Sequence, residues 1–156
     1  MKKDTQRSDQ QIVVRLLFLV YCGVMLWLLF GQRMDGGEIQ ITQGINKDNL
    51  NLMPFKTLRL YWRMLEQGAS EALLRHAIIN LVGNVAVFIP LGWFLPFIWE
   101  NMRSFLKMLL LTTGCICLVE ICQLITNLGS CDIDDLILNL VGISLGYGIW
   151  LLFRKK

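Results

Sequence analysis

Residues 77–99 read AIINLVGNVAVFIPLGWFLPFIW, twenty-three in a row without one ionisable side chain. Wound as a helix they reach about 35 Å, enough to cross a hydrocarbon core of about 30 Å. Three further stretches have the same character. Residues 12–31 are interrupted only by Arg15, near enough to the start to snorkel to the interface. Residues 104–126 carry Lys107 at their entrance, and residues 135–153 are closed by Arg154, Lys155 and Lys156. Elsewhere the charges crowd into the first ten residues, the stretch 32–76, a patch at 100–107 and the last three residues.

Composition agrees. Apolar residues make up 54 % and charged residues 17 %, too little charge to keep a soluble domain of 156 residues wet. The formal charge of +3 forms no basic stripe, so nucleic acid is not an expected partner. Five cysteines (22, 115, 117, 122 and 131) are odd in number and lack a CxxC pair, and four lie in apolar runs, where a thiol packs as a small hydrophobe. With a single histidine, His76, no zinc site and no cofactor is expected; a hard cation held by Glu120 and Asp135 stays an open alternative that no spacing signals. The basic segment 1–7 before residues 12–31 has a signal-peptide flavour. The run is too long for a signal core and has no small-x-small exit, so it reads as a retained span.

The expected fold is therefore all-α, an integral membrane four-helix bundle. Short flanking segments orient it by their Lys and Arg. Lys2, Lys3 and Arg7 precede span one, Arg103 and Lys107 lie between spans two and three, and the C-tail is basic. The connection 127–134 has no basic residue. This predicts N-in/C-in: N-tail 1–11, spans 12–31, 77–99, 104–126 and 135–153, extracytoplasmic loops 32–76 and 127–134, and C-tail 154–156. The longer first loop holds six Lys/Arg against five acids, the one contrary sign. Pro90 is expected to kink span two.

Several polar residues occupy positions where a membrane helix prefers Leu: Asn80, Asn84, Glu120, Gln123, Asp135 and Asn139. An acid near the bilayer centre costs roughly 2.5–3.5 kcal/mol on insertion scales, so these are functional candidates. With this topology, spans two and four enter and span three leaves at the same end, and all six fall in the outer half. Spacings of four, three and four put each pair on one helix face. Gly142 and Gly146 continue the span-four face with small-xxx-small spacing, which permits close helix approach. The expectation is an outward-facing polar pocket with acids of the Cys131-Asp132-Ile133-Asp134-Asp135 run at its mouth. Asn and Gln alone serve equally well as helix glue; Glu120 is an inefficient glue. Asp132, Asp134 and Asp135 read alternatively as solvated acids at a helix start, and Asp134→Asn is expected to be milder than Glu120→Gln or Asp135→Asn.

The run Asn49-Leu50-Asn51-Leu52-Met53-Pro54-Phe55, then Asn80-x-x-Gly83-Asn84 leading to Phe88-Ile89-Pro90-Leu91-Gly92, resembles the VanZ-like family. So do Glu120-x-x-Gln123, Asp132-Ile133-Asp134-Asp135 and Asn139-x-x-Gly142. In order and spacing these cover nearly all the chain after span one, a single domain of about 12–153. The resemblance implies a small bacterial membrane protein of the cell envelope, in a family named for a protein linked to resistance to the lipoglycopeptide teicoplanin. One departure stands out: members often carry Arg where Gly129 aligns, and His76 or Arg75 are the candidates to replace it.

The combined reading is a multi-pass protein of the bacterial cytoplasmic membrane. Its pocket would engage a lipid, a lipid-linked wall intermediate or a lipoglycopeptide. If it catalyses, Glu120 and Asp135 carry the chemistry, Glu120 as general acid/base; Asn51, Asn80, Asn84, Gln123, Asp132 and Asn139 bind, and Asn51-x-x-Pro54-Phe55 acts as a lid. A proton-coupled carrier using Glu120 is the alternative, though no inverted repeat or inner polar path is evident. So is an assembly subunit joining another membrane protein or a helix–helix oligomer.

Overall fold

The computed structural model describes residues 2–31 and 49–154. Arg33 and Lys47 of the first loop and Lys155 and Lys156 of the C-tail lie outside the described residues. In chain order the elements are α1 (Lys2–Leu26), continued by one wider π-helical turn (Trp27–Gly31), β1 (Leu50–Asn51), α2 (Lys56–Glu66), α3 (Glu71–Ile98), a 3-10 turn (Glu100–Arg103), α4 (Phe105–Ile125), β2 (Cys131–Asp132) and α5 (Ile133–Phe153). Four helical stretches are long and apolar enough to span a bilayer: Gln10–Phe30, Glu71–Ile98, Phe105–Ile125 and Ile133–Phe153. At 28 residues α3 is about 42 Å long, a turn or two more than a hydrocarbon core requires. The surplus holds Glu71, Arg75 and His76, polar side chains that need water.

Burial is inverted relative to a soluble protein. Leu118 is 64 % exposed and Leu152 84 %, while Asp134 is 0 %, Asn139 3 % and Glu120 7 %. Lipid tails solvate Leu as well as a protein core does, so apolar burial gives no preference for the bundle interior. Polar groups have no such solvent outside and turn inward. The result is an all-α membrane bundle.

The helices α3 and α5 run parallel in backbone contact. A Cβ added at Gly146 would stand 1.9 Å from the Ile89 carbonyl oxygen, and one at Gly142 2.2 Å from that of Val85. From the other side, a Cβ at Gly92 would stand 2.0 Å from the Ile143 carbonyl oxygen. The small-xxx-small face of α5 is thus used within the chain. Beneath it Phe88, Leu95, Met108, Ile116, Ile143, Tyr147 and Trp150 form the apolar core. Tyr147 Oη donates to the Arg103 carbonyl at 2.6 Å and ties α5 to the α3–α4 turn.

Around this pair α1 is attached more loosely. Phe18 meets Phe94 and Trp99 edge-on, with ring centroids at 5.6 and 5.4 Å. Tyr21 Oη donates to the Val87 carbonyl at 2.8 Å. Pro90 lacks an N–H and its ring crowds the Ala86 carbonyl four residues back, one residue before the Val87 carbonyl that Tyr21 meets. The helix α3 continues through Pro90 and Pro96.

The first loop is where the structure adds most. Residues 58, 61, 62 and 65 are apolar or aromatic at i, i+3, i+4 and i+7, the spacing of an amphipathic helix, and they lie within α2. Leu50 and Asn51 pair in parallel with Cys131 and Asp132, a two-residue bridge that fixes the loop to the α4–α5 connection. On the other side of that connection, α4 ends where Asn127 takes a left-handed conformation (φ 54°), a common helix stop for Asn.

Candidate functional site

The acids of the α4–α5 connection are structural hubs. Asp132 is the N-cap of α5: its Oδ1 accepts from the Asp134 N–H at 2.9 Å, satisfying one of the donors a helix start leaves bare. The same oxygen accepts from Asn51 Nδ2 at 3.0 Å, and Oδ2 accepts from Thr57 Oγ1 at 2.7 Å. The Asp132 N–H in turn donates to Glu120 Oε2 at 3.1 Å. Glu120, in the last turns of α4, thereby holds the backbone that presents Asp132.

Asp134 is the hub for the first loop. It accepts from the Phe55 N–H, from the Thr57 N–H at 2.8 Å and from the Leu58 N–H at 3.3 Å. Those are donors of the first turn of α2, so an acid on α5 caps another helix through its bare N–H groups and its dipole. Phe55 stands at the α2 N-cap with φ 63°, the left-handed region, which costs a non-glycine residue about 1–2 kcal/mol. Its N–H is thereby turned onto Asp134. The reading of Asp134 as a solvated acid at a helix start is corrected here: it is fully buried, because α2 supplies it with three N–H donors.

A second group joins α3 to α5. Asn84 Nδ2 donates to Asp135 Oδ1 at 2.6 Å. One turn before Asn84, Asn80 leaves its Oδ1 buried without a hydrogen bond, and so does Asn139, one turn beyond Asp135. The Asn51 Oδ1 is a third such acceptor. Between the groups stands Tyr61 of α2. Its hydroxyl pKa is raised, first by burial and then by the nearby negative charge of Asp135 and Asp132. Cys131 reports on the other edge, its thiol pKa raised by burial and by Glu120, Cys117 and Asp132.

Glu120, Asp132 and Asn51 are thus joined in one network through Asp132, and Asn84 is joined to Asp135. Gln123 leads elsewhere. It is buried, and its Nε2 donates to the Leu29 carbonyl at 2.9 Å, in the wider turn that continues α1. Arg75 and His76 are exposed, and Arg75 pairs with Glu71 on the surface at 3.2 Å, a contact worth at most about 1 kcal/mol. Thr57 and Tyr61 were not among the expected site residues, and Asp134 was expected only as an acid at the pocket mouth. The amphipathic spacing of 58–65 was the available signal for the first two, since a helix there needs its first turn capped.

The cluster is roofed by residues 50–58, and its carboxylates are largely closed to solvent. A cleft of about 520 Å³ lies at the other end of the bundle, between Leu95, Trp99, Met102 and Leu111, away from these acids. No group of three or more His, Cys, Asp or Glu side chains suited to a metal ion occurs among the described residues. Buried acceptors beside carboxylates can receive hydrogen bonds from a donor-bearing ligand or exchange protons with one. A family model described as VanZ/LLP1 matches residues 18–154. No curated protein and no solved structure matches the chain.

Proposed function

The chain belongs to the VanZ/LLP1 family, and on that premise we propose that its polar cluster engages a component of the bacterial cell envelope. The component is a lipid, a lipid-linked wall intermediate or a lipoglycopeptide, met at the extracytoplasmic end of the bundle in the cytoplasmic membrane. One observation carries this reading: Asn139, 3 % exposed, keeps a carboxamide oxygen without a hydrogen bond one turn from Asp135, which itself holds Asn84. Burying an amide acceptor unpaired costs on the order of 1–3 kcal/mol, and helix glue alone gives no reason to bear it. A ligand donor does.

In this function residues 50–58 are the roof that must move, Asn80, Asn84 and Asn139 orient the ligand, and Glu120 and Asp135 supply charge or move a proton. The test is teicoplanin susceptibility, with lipid analysis alongside, of a deletion strain complemented by wild type, Glu120→Gln or Asp135→Asn. Both variants keep size and remove charge. Loss of complementation at unchanged protein level is expected; full complementation by both leaves the cluster a structural device.

A further inference from the structure

The helix α2 has a face that neither the bundle nor the polar cluster uses. Thr57, Leu58, Tyr61 and Met64 are half-buried and define the side turned to the bundle. Lys56, Arg59 and Arg63, at i, i+3 and i+7, are exposed and form one basic stripe on the far side. Exposed apolar residues flank that stripe: Leu60 at 46 % on one side, Trp62 at 65 % and Leu65 at 57 % on the other. Phe55, just before α2, is 49 % exposed. Glu66, the acid within α2, accepts from the Trp62 indole Nε1 at 2.7 Å. That bond covers the polar edge of the ring and occupies one oxygen of the counter-charge.

Position makes the occupant specific. The N–H groups at the start of α2 sit on Asp134, in the first turn of a membrane-spanning helix. A first turn of such a helix lies at the bilayer boundary, so the start of α2 lies there too, and the helix runs about 16 Å from it. A helix with basic residues on one face and Trp and Leu beside them, held at that depth, is complementary to headgroup phosphates over an acyl boundary. We propose that α2 is an interfacial membrane-binding element. Phe55, Leu60, Trp62 and Leu65 seat in the headgroup–acyl boundary of the leaflet on the polar-cluster side. Lys56, Arg59 and Arg63 contact the phosphates of anionic phospholipid. The roof over the acids thereby rests in lipid.

The full chain in lipid nanodiscs tests this. The fluorescence difference between wild type and Trp62→Phe isolates Trp62, and lipids brominated near the headgroup or near the chain end report its depth. Quenching by the shallow bromines above the deep ones is expected. Trp62 untouched by either, and quenched instead by aqueous iodide, overturns the proposal and marks the face as one for water or a soluble partner. The charge component is read by amide exchange over residues 57–66. In phosphatidylglycerol discs, each of Lys56→Gln, Arg59→Gln and Arg63→Gln is expected to raise the rate about fivefold, and not in phosphatidylcholine. Equal rates in the two lipids for wild type and variants overturn the anionic-lipid assignment.

Discussion

Asp134→Asn is the sharpest perturbation the fold offers, because it changes one atom of a side chain that joins two helices. Of the three N–H donors on this carboxylate, those of Phe55 and Thr57 are short, and Leu58 at 3.3 Å adds little. Hydrogen bonds to a charged group contribute roughly 1.5–3 kcal/mol each, so the pair holds α2 with about 3–6 kcal/mol. Asparagine keeps one acceptor without charge and sets an NH₂ against a backbone N–H at the other. One bond is lost, its partner is left unpaired, and the remaining bond weakens to a neutral one. About 3 kcal/mol of docking free energy disappears, which raises the open fraction of the 50–66 segment by roughly two orders of magnitude. Amide exchange in nanodiscs reads this directly as faster exchange at Phe55, Thr57 and the rest of α2, with α3 and α5 unchanged. Glu71→Gln, which removes only the exposed Arg75 pair, is the control and should change nothing in α2. Unchanged exchange in a folded Asp134→Asn protein would refute the latch. The function of this variant is accordingly expected to fall with that of Glu120→Gln rather than to be milder.

Gly146→Ala forces a methyl group to within 1.9 Å of the Ile89 carbonyl oxygen, so α3 and α5 must part. A loss of at least about 1–3 kcal/mol is expected, seen as a lower melting temperature in detergent. Gly114→Ala meets nothing within 4 Å and should be neutral or stabilising by up to about 1 kcal/mol through helix propensity. Because the Cys131 pKa is raised, its thiolate fraction at neutral pH is low, and alkylation by iodoacetamide should be slow and climb with pH to beyond the ordinary thiol range. Glu120→Gln removes one of the charges raising it and should speed that reaction at pH 7; no change would separate Glu120 from the connection. For the N-in/C-in topology, single cysteines at Lys2, Ser130 and Lys155 in a cysteine-free background are treated with an impermeant thiol reagent on intact cells. Position 130 should label and the tails should not, and the reverse pattern inverts the orientation.

Four membrane helices, their order and the gathering of polar residues at one end are written in the sequence itself. Hydropathy is local, and a run such as 77–99 has no other way to satisfy both its backbone and its side chains. The close approach of α5 was also legible, since Gly142 and Gly146 share a face and leave it without side chains. That Gly92 of α3 meets this face, 51 residues from Ile143, was not. The same limit governs the site. A carboxylate near a helix start reads the same whether it faces water or caps another helix. Asp134 became a buried hub only because the Thr57 N–H, 77 residues away, was carried to it. Gln123 looked like a member of the cluster by its spacing from Glu120, yet its donor found the Leu29 carbonyl in the turn that continues the first helix. Periodicity places a polar group at a depth and on a face. Which donor meets which acceptor is decided by packing, because in a bilayer each buried polar group must find its partner within the protein, wherever along the chain that partner lies.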